Sequence, residues 1–268
     1  MALPSHPLSP FSRDVGRTVF GRDIEGYHNI RPGYPDDLFA IIGDRVPARH
    51  LFGEIGPGTG LATTGLLGLK PEHFVAFEPD SALAEFLIAQ FPELELIDQD
   101  FCVAQVEGGF DLIASASSFH WLDAGQALRK AHDLLRDNGI LAIWWNVYRE
   151  EGIGDRFAEA VTPYLIDLEL PPSQTASHHY GLDTKFHFAR LRNAGFTDVG
   201  YHLFRRERTL TPVDARALYA SFSLVRILSP DRREFLLNTI ESIVREQFGG
   251  AAPSVLLTPL YLARKPSL

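Results

Sequence analysis

Along the first 150 residues, apolar positions alternate between short continuous runs and helix-spaced stripes. Runs at 50–55, 73–77, 94–97, 110–116 and 139–145 have the length and composition of strands buried on both faces. Between them, 61–69, 80–91 and 123–138 carry apolar side chains three and four positions apart, the spacing of helices that cover a sheet. Leu83, Phe86, Leu87 and Phe91 form one such stripe; Ala127, Leu128, Ala131, Leu134 and Leu135 form another. A helix over 36–42 takes Asp36 as its N-cap. Asp123 with Gln126 three residues on gives a capping-box start, and Asn138-Gly139 a stop with glycine left-handed. This alternation predicts an α/β protein with a parallel sheet. Beyond 150 the pattern loosens. The stretch 150–180 is helical in part and then turn-rich, 185–194 is a helix ending at Gly195, 199–210 a strand, 215–228 and 231–248 helices, and 255–264 a last strand.

The densest signal is Glu54-Ile55-Gly56-Pro57-Gly58-Thr59-Gly60, between the first strand and the first covering helix. Glycine at every second position lets the backbone turn sharply and a ligand approach it without meeting a Cβ. The second strand run then delivers an acid, Glu78, where a doubly wound fold places the carboxylate that holds a ribose diol. A dinucleotide loop reads G-x-G-x-x-G, whereas here the third glycine comes one residue early and Leu61 stands where that pattern wants glycine. Glu54 also puts a carboxylate at the mouth of the loop, which suits a cationic ligand better than a pyrophosphate. Both features disfavour a nicotinamide dehydrogenase.

The loop resembles the first motif of the class I S-adenosylmethionine (SAM)-dependent methyltransferases, E/D-x-G-x-G-x-G. The resemblance implies a doubly wound, Rossmann-like sheet of seven mostly parallel strands with an antiparallel last strand, for which 199–210 and 255–264 supply the final two. It implies one domain over 27–268 after a loose arm at 1–26, with the cofactor part at about 36–146. Insertions at about 150–185 and 211–250 would form a helical cap over the acceptor. Cofactor-binding positions carried over are Glu54, Gly56, Gly58, Thr59, Gly60, Glu78, Pro79 and Ser117, with Asp100 on the adenine amino group and Phe101 packed on its ring. Asp98 and Asp100 also fit a solvated acidic turn. The segment Tyr27 to Pro35 resembles the Y-x-x-x-R-P-x-Y-P segment of small-molecule methyltransferases, in which Tyr27 and Arg31 close over the methionyl end; two packing tyrosines and a surface arginine would look the same. Phe119-His120-Trp121-Leu122-Asp123 resembles the F-H-W-x-D phrase of the trans-aconitate methyltransferase group, and this implies a substrate pocket with Tyr34, His120 and Trp121. The N/D-P-P-Y/F segment of methyltransferases acting on adenine or amide nitrogen is replaced here by Ser115-Ala116-Ser117-Ser118.

Composition narrows the partners. The net charge of −9 is uneven: 11 basic against 21 acidic residues over 1–150, and 14 against 13 over 151–268. Neither half has the basic surplus of a phosphate-backbone binder, so nucleic acid is a poor substrate expectation. No apolar run is long enough to span a bilayer, and the start has no signal-like core; a cytoplasmic protein with no membrane partner is expected. The single cysteine, Cys102, excludes an internal disulfide. His178, His179 and His187 lack a carboxylate at a ligand-like offset, so no metal is expected and they read as surface histidines.

The expected reaction is methyl transfer from SAM to a small organic molecule, with His120 either the base or a residue that shapes its loop. The alternative is an enzyme of the same fold that binds SAM yet catalyses a non-methylating step such as a cyclisation. The acceptor and the oligomeric state are not encoded in any motif.

Overall fold

The computed structural model describes residues 24–148, 152, 154–165 and 179–267. The arm expected at 1–26 falls outside them up to residue 23, as does His178. The described parts divide into two compact units, one within Pro32–Val147, Gly181–Arg205 and Leu257–Leu268, the other within Met1–Arg31, Tyr148–Tyr180 and Arg206–Leu256.

Seven strands form one sheet: β1 (Leu51–Ile55), β2 (His73–Phe77), β3 (Glu95–Ile97), β4 (Phe110–Ala116), β5 (Leu135–Trp144), β6 (Thr197–Leu210) and β7 (Ala252–Arg264), in the order β3-β2-β1-β4-β5-β7-β6. β1 pairs in parallel with β2 and β4, β2 with β3 and β4 with β5, while β7 runs antiparallel to β5. This is the doubly wound arrangement with an antiparallel seventh strand. The strand order reverses between β1 and β4, which opens a crevice at their carboxyl ends. Register at the opposite end is held by Asp111, whose fully buried carboxylate accepts from His50 N (2.8 Å), Leu51 N (3.1 Å) and Arg136 Nη1 (2.9 Å).

Helices α1 (Ile24–Ile30), α2 (Asp36–Arg45), α3 (Thr63–Leu67), α4 (Ser81–Gln90), α5 (Ala124–Leu134), α6 (Arg156–Val161) and α7 (Thr184–Asn193) follow in chain order. α2, α3 and α4 bury Leu38, Ile42, Leu66 and Leu87 with Phe52 and Trp144 of the sheet. α3 comes so close to α2 that a Cβ on Gly65 would sit 2.2 Å from Phe39 Cζ. Gly65→Ala is therefore expected to cost about 1–3 kcal/mol, read as a lower urea midpoint at unchanged slope.

Several boundaries differ from the sequence expectation. The N-cap of α2 is Pro35, and Asp36 is its first helical residue, placed for the helix dipole and not for capping. Asp123 does cap α5 by accepting from Gln126 N, but the Gln126 side chain donates to Cys102 O, so the reciprocal half of the capping box is replaced. α5 ends at Leu134, earlier than Asn138-Gly139, because β5 begins at once. Asn138 takes the left-handed conformation (φ 63), whereas Gly139 is needed for space: a Cβ there would lie 2.9 Å from both Arg136 O and Phe110 O. α7 behaves as expected, capped by Asp183 and followed by left-handed Gly195.

In the other unit, the helix expected over 215–228 is two, α8 (Pro212–Ala220) and α9 (Ser223–Arg226), followed by α10 (Pro230–Gln247). Thr211 and Asp214 form a full capping box at the start of α8. Phe157 and Val161 of α6 pack with Leu218, Leu236 and Ile240 in that unit's own core.

Candidate functional site

The glycine loop leaves β1 with all three glycines left-handed, at φ 61, 59 and 83 for Gly56, Gly58 and Gly60. Their surroundings differ. A Cβ on Gly56 would lie 2.7 Å from Ser118 Cβ, and one on Gly60 2.5 Å from Phe91 Cε2, so these two are packing positions. A Cβ on Gly58 would meet nothing within 4 Å, so this glycine borders open space. Thr59, between Gly58 and Gly60, is buried.

Glu78 ends β2 and faces this turn. Its Oε2 accepts from Gly58 N and its Oε1 from Asp80 N, each at 3.0 Å. The sequence builds this locally: Asp80 must cap α4, accepting from Ala82 N and Leu83 N, so the chain turns directly after the strand, with Pro79 exposed on the turn. At 5% exposure Glu78 is largely desolvated, and burial pushes its carboxyl up to about 7 against the opposing pull of the Asp80 and Gly58 amides.

Glu54 stands deeper than its position in the motif suggests. It is fully buried in β1; Oε2 accepts from Thr63 Oγ1 at 2.6 Å, and Oε1 has no hydrogen-bond partner among the described residues. Burial, only partly offset by the Thr63 bond, raises the carboxyl to about 8. The sequence suggested a charge at the mouth of the loop. The structure has a buried carboxyl that holds its proton at neutral pH. An alternating strand pattern does not distinguish these depths, because β1 is buried on both faces.

Past β3, Asp100 turns back on its own loop and accepts from Cys102 N at 2.7 Å. Phe101 is 1% exposed, edge-on to Phe77 at 5.1 Å and beneath the Lys130 ammonium at 5.3 Å. Its ring belongs to the protein interior. Burial pushes the neighbouring Cys102 thiol up to about 11, so at neutral pH it is a thiol and a poor nucleophile.

The loop after β4 is tightly tied. Ser117 is left-handed (φ 53); its Oγ accepts from Tyr34 Oη at 3.1 Å and from Asn146 N at 3.2 Å. Asn146 links further, donating to Pro32 O and accepting from Thr258 Oγ1. Ser118 Oγ bonds Ile55 O, joining this loop to the base of the glycine turn. The next turn, 119–121, carries His120 and Trp121, whose rings lie 4.7 Å apart. Trp145 Nε1 donates to His120 Nδ1 at 3.3 Å. Gly56, Gly58, Gly60, Glu78, Asp100, Ser117 and His120 thus all follow the carboxyl ends of β1 to β4, on one edge of the sheet. Trp145 and Asn146 were missed as site residues. The only sequence signal for them was their place directly after the fifth strand, the equivalent edge position.

One expectation changes. His187 is not a surface residue: it is fully buried, its ring 4.4 Å from Tyr261 and 5.1 Å from Trp145. Among the described residues no group of three or more histidine, cysteine, aspartate or glutamate side chains is arranged to hold a metal. Tyr27 and Arg31 belong to the other unit. There the Arg31 guanidinium lies over the rings of Tyr27 (5.0 Å), Tyr148 (5.2 Å) and Phe222 (4.8 Å) and donates to Ser221 O at 2.9 Å.

Residues 53–143 match the family model described as a methyltransferase domain. An uncharacterized methyltransferase of Schizosaccharomyces pombe is 24% identical over 234 residues, 86% of this chain and 88% of the relative. Among solved structures, a methyltransferase from Anaeromyxobacter dehalogenans superposes with a TM-score of 0.66 at 18% identity, covering 89% of this chain and 99% of that one. The cyclase SpnF superposes with a TM-score of 0.58 at 14% identity over 99% of this chain and 100% of its own. At these identities the two structures report the fold alone.

Proposed function

We propose that this chain, whose residues 53–143 match a methyltransferase-domain model, transfers a methyl group from SAM to a small organic molecule. The observation that carries this is the paired arrangement at the crevice: an open left-handed turn at Gly58, pinned by Glu78, beside a buried Glu54 with an unpartnered oxygen. These features fit a ligand with a vicinal diol and a cationic end. Glu78 would hold the ribose hydroxyls, with Pro79 beside it. The main chain of Gly56, Gly58, Thr59 and Gly60 would border the methionyl portion, and Glu54 would answer its ammonium. Asp100 would receive the adenine amino group, with Phe101 beside the adenine ring. SAM supplies a methyl already activated on a sulfonium, so the protein's contribution is alignment and exclusion of water, worth roughly 7–11 kcal/mol in favourable systems.

The acceptor pocket is assigned to Tyr34, His120 and Trp121, with Ser117 on the cofactor side, and the F-H-W-x-D phrase supports a likeness to the trans-aconitate methyltransferase group. The acidic N-terminal half favours a small acceptor over nucleic acid. A cytoplasmic setting agrees with the composition, and among the described residues no helix is long and apolar enough to cross a membrane. The full-length likeness to SpnF supports a second reading, a SAM-binding enzyme that catalyses a non-methylating step. Incubation with SAM and a library of small acceptors separates the two. Acceptor-dependent release of S-adenosylhomocysteine is the expected result, and conversion of a substrate with SAM left intact would establish the second.

A further inference from the structure

Trp145 is 1% exposed, and a buried indole N–H needs an acceptor. Its N–H donates to Nδ1 of His120. The indole cannot shift to release it, since its ring is packed on buried His187 and on Tyr261, whose hydroxyl is fixed to Gly181 O at 2.8 Å. An indole nitrogen only donates. The histidine nitrogen facing it must therefore carry the lone pair, and the hydrogen of the neutral imidazole sits on Nε2.

We propose that Trp145 is a positioning residue that holds His120 in its Nε2–H form, so that His120 donates a hydrogen bond to the methyl acceptor and does not remove its proton. Serving as base through Nε2 would require the ring hydrogen on Nδ1, where two N–H groups would point at each other across 3.3 Å. Taking a proton on Nδ1 meets the same conflict. The favoured acceptors are then those whose nucleophilic atom has a free lone pair at neutral pH and which offer an unprotonated oxygen or nitrogen to the Nε2–H. An alcohol that must first lose its proton is not served by this residue. The functional half of this inference rests on the acceptor pocket proposed above; the tautomer does not.

The test is a long-range proton–nitrogen spectrum of histidine-labelled protein at pH 8 without cofactor, the His120 signals being assigned by their loss in His120→Gln. The expected result is an unprotonated Nδ1 and a protonated Nε2 in the wild type. Trp145→Phe, which keeps an aromatic ring and removes the donor, should move the signals toward a mixture of tautomers. Should that variant fail to fold, His120→Phe gives the reciprocal readout: the Trp145 indole proton should exchange about tenfold faster once its acceptor is gone. A wild-type Nδ1 that carries the proton, or an indole whose exchange ignores His120, overturns the proposal. Failure of SAM to bind would refute the proposed function and leave this spectrum unchanged.

Discussion

Replacing Glu78 with alanine is expected to weaken binding of SAM and of S-adenosylhomocysteine by at least about a hundredfold. A carboxylate that receives both hydroxyls of a ribose makes two charge-assisted hydrogen bonds, each worth roughly 1.5–3 kcal/mol, and each 1.4 kcal/mol is a factor of about ten. The same side chain pins the glycine turn through Gly58 N, so its loss also frees the loop that must close on the ligand. The effect has a pH signature. Burial sets the Glu78 carboxyl at about 7, so it is ionised above that pH and protonated below it. A protonated carboxyl cannot accept from both hydroxyls, and wild-type affinity should fall about tenfold per pH unit below 7. Glu78→Gln should bind weakly with no such slope. Titration calorimetry at pH 5.5, 7 and 8.5 checks both statements.

The second large effect is on stability. A carboxyl raised from 4.5 to about 8 by burial keeps its proton in the folded chain across a range where the unfolded chain has lost it. The folded state binds more protons there, so folding stability falls as pH rises from 4.5 to 8, by up to about 1.4 kcal/mol per unit. Glutamine at position 54 cannot ionise and still offers Thr63 an acceptor. Glu54→Gln should therefore match the wild type near pH 4.5 and gain on it progressively to pH 8, reaching on the order of a few kcal/mol, before levelling off. Thermal melts of the ligand-free protein across pH 4.5–9 would show the two curves separating. Parallel curves would mean that Glu54 is not titrating in the fold. The stabilised variant should bind SAM less tightly, since its amide, unlike the Glu54 carboxyl, cannot give up a proton to face the ammonium as an anion, a loss of function traded for stability.

The glycine loop, Glu78 and the strands at 73–77 and 110–116 were legible in the sequence for one reason: each is local. A strand buried on both faces is a continuous apolar run, and a turn that must go left-handed three times announces itself in glycine. What escaped depends on contacts distant along the chain. The depth of Glu54 is set by Thr63 and by strands on both sides, not by its neighbours in sequence. His187 reads as an ordinary polar residue on a helix until Trp145 and Tyr261 close over it. Trp145 reads as the end of an apolar strand, although its polar edge sets the state of a histidine 25 positions earlier. Gly139 was assigned to a helix stop for its conformational freedom, when the position needs its small size. Nothing in the periodicity of 215–228 marked the break at Ser221-Phe222 between α8 and α9.

The most direct measurement is a titration of the wild-type protein at pH 8, where Glu78 is ionised, with S-adenosylhomocysteine and separately with NADH. Saturable one-to-one binding of the first and no heat from the second is the predicted result. A folded protein that ignores S-adenosylhomocysteine, or prefers the dinucleotide, would contradict the assignment of the loop and everything built on it.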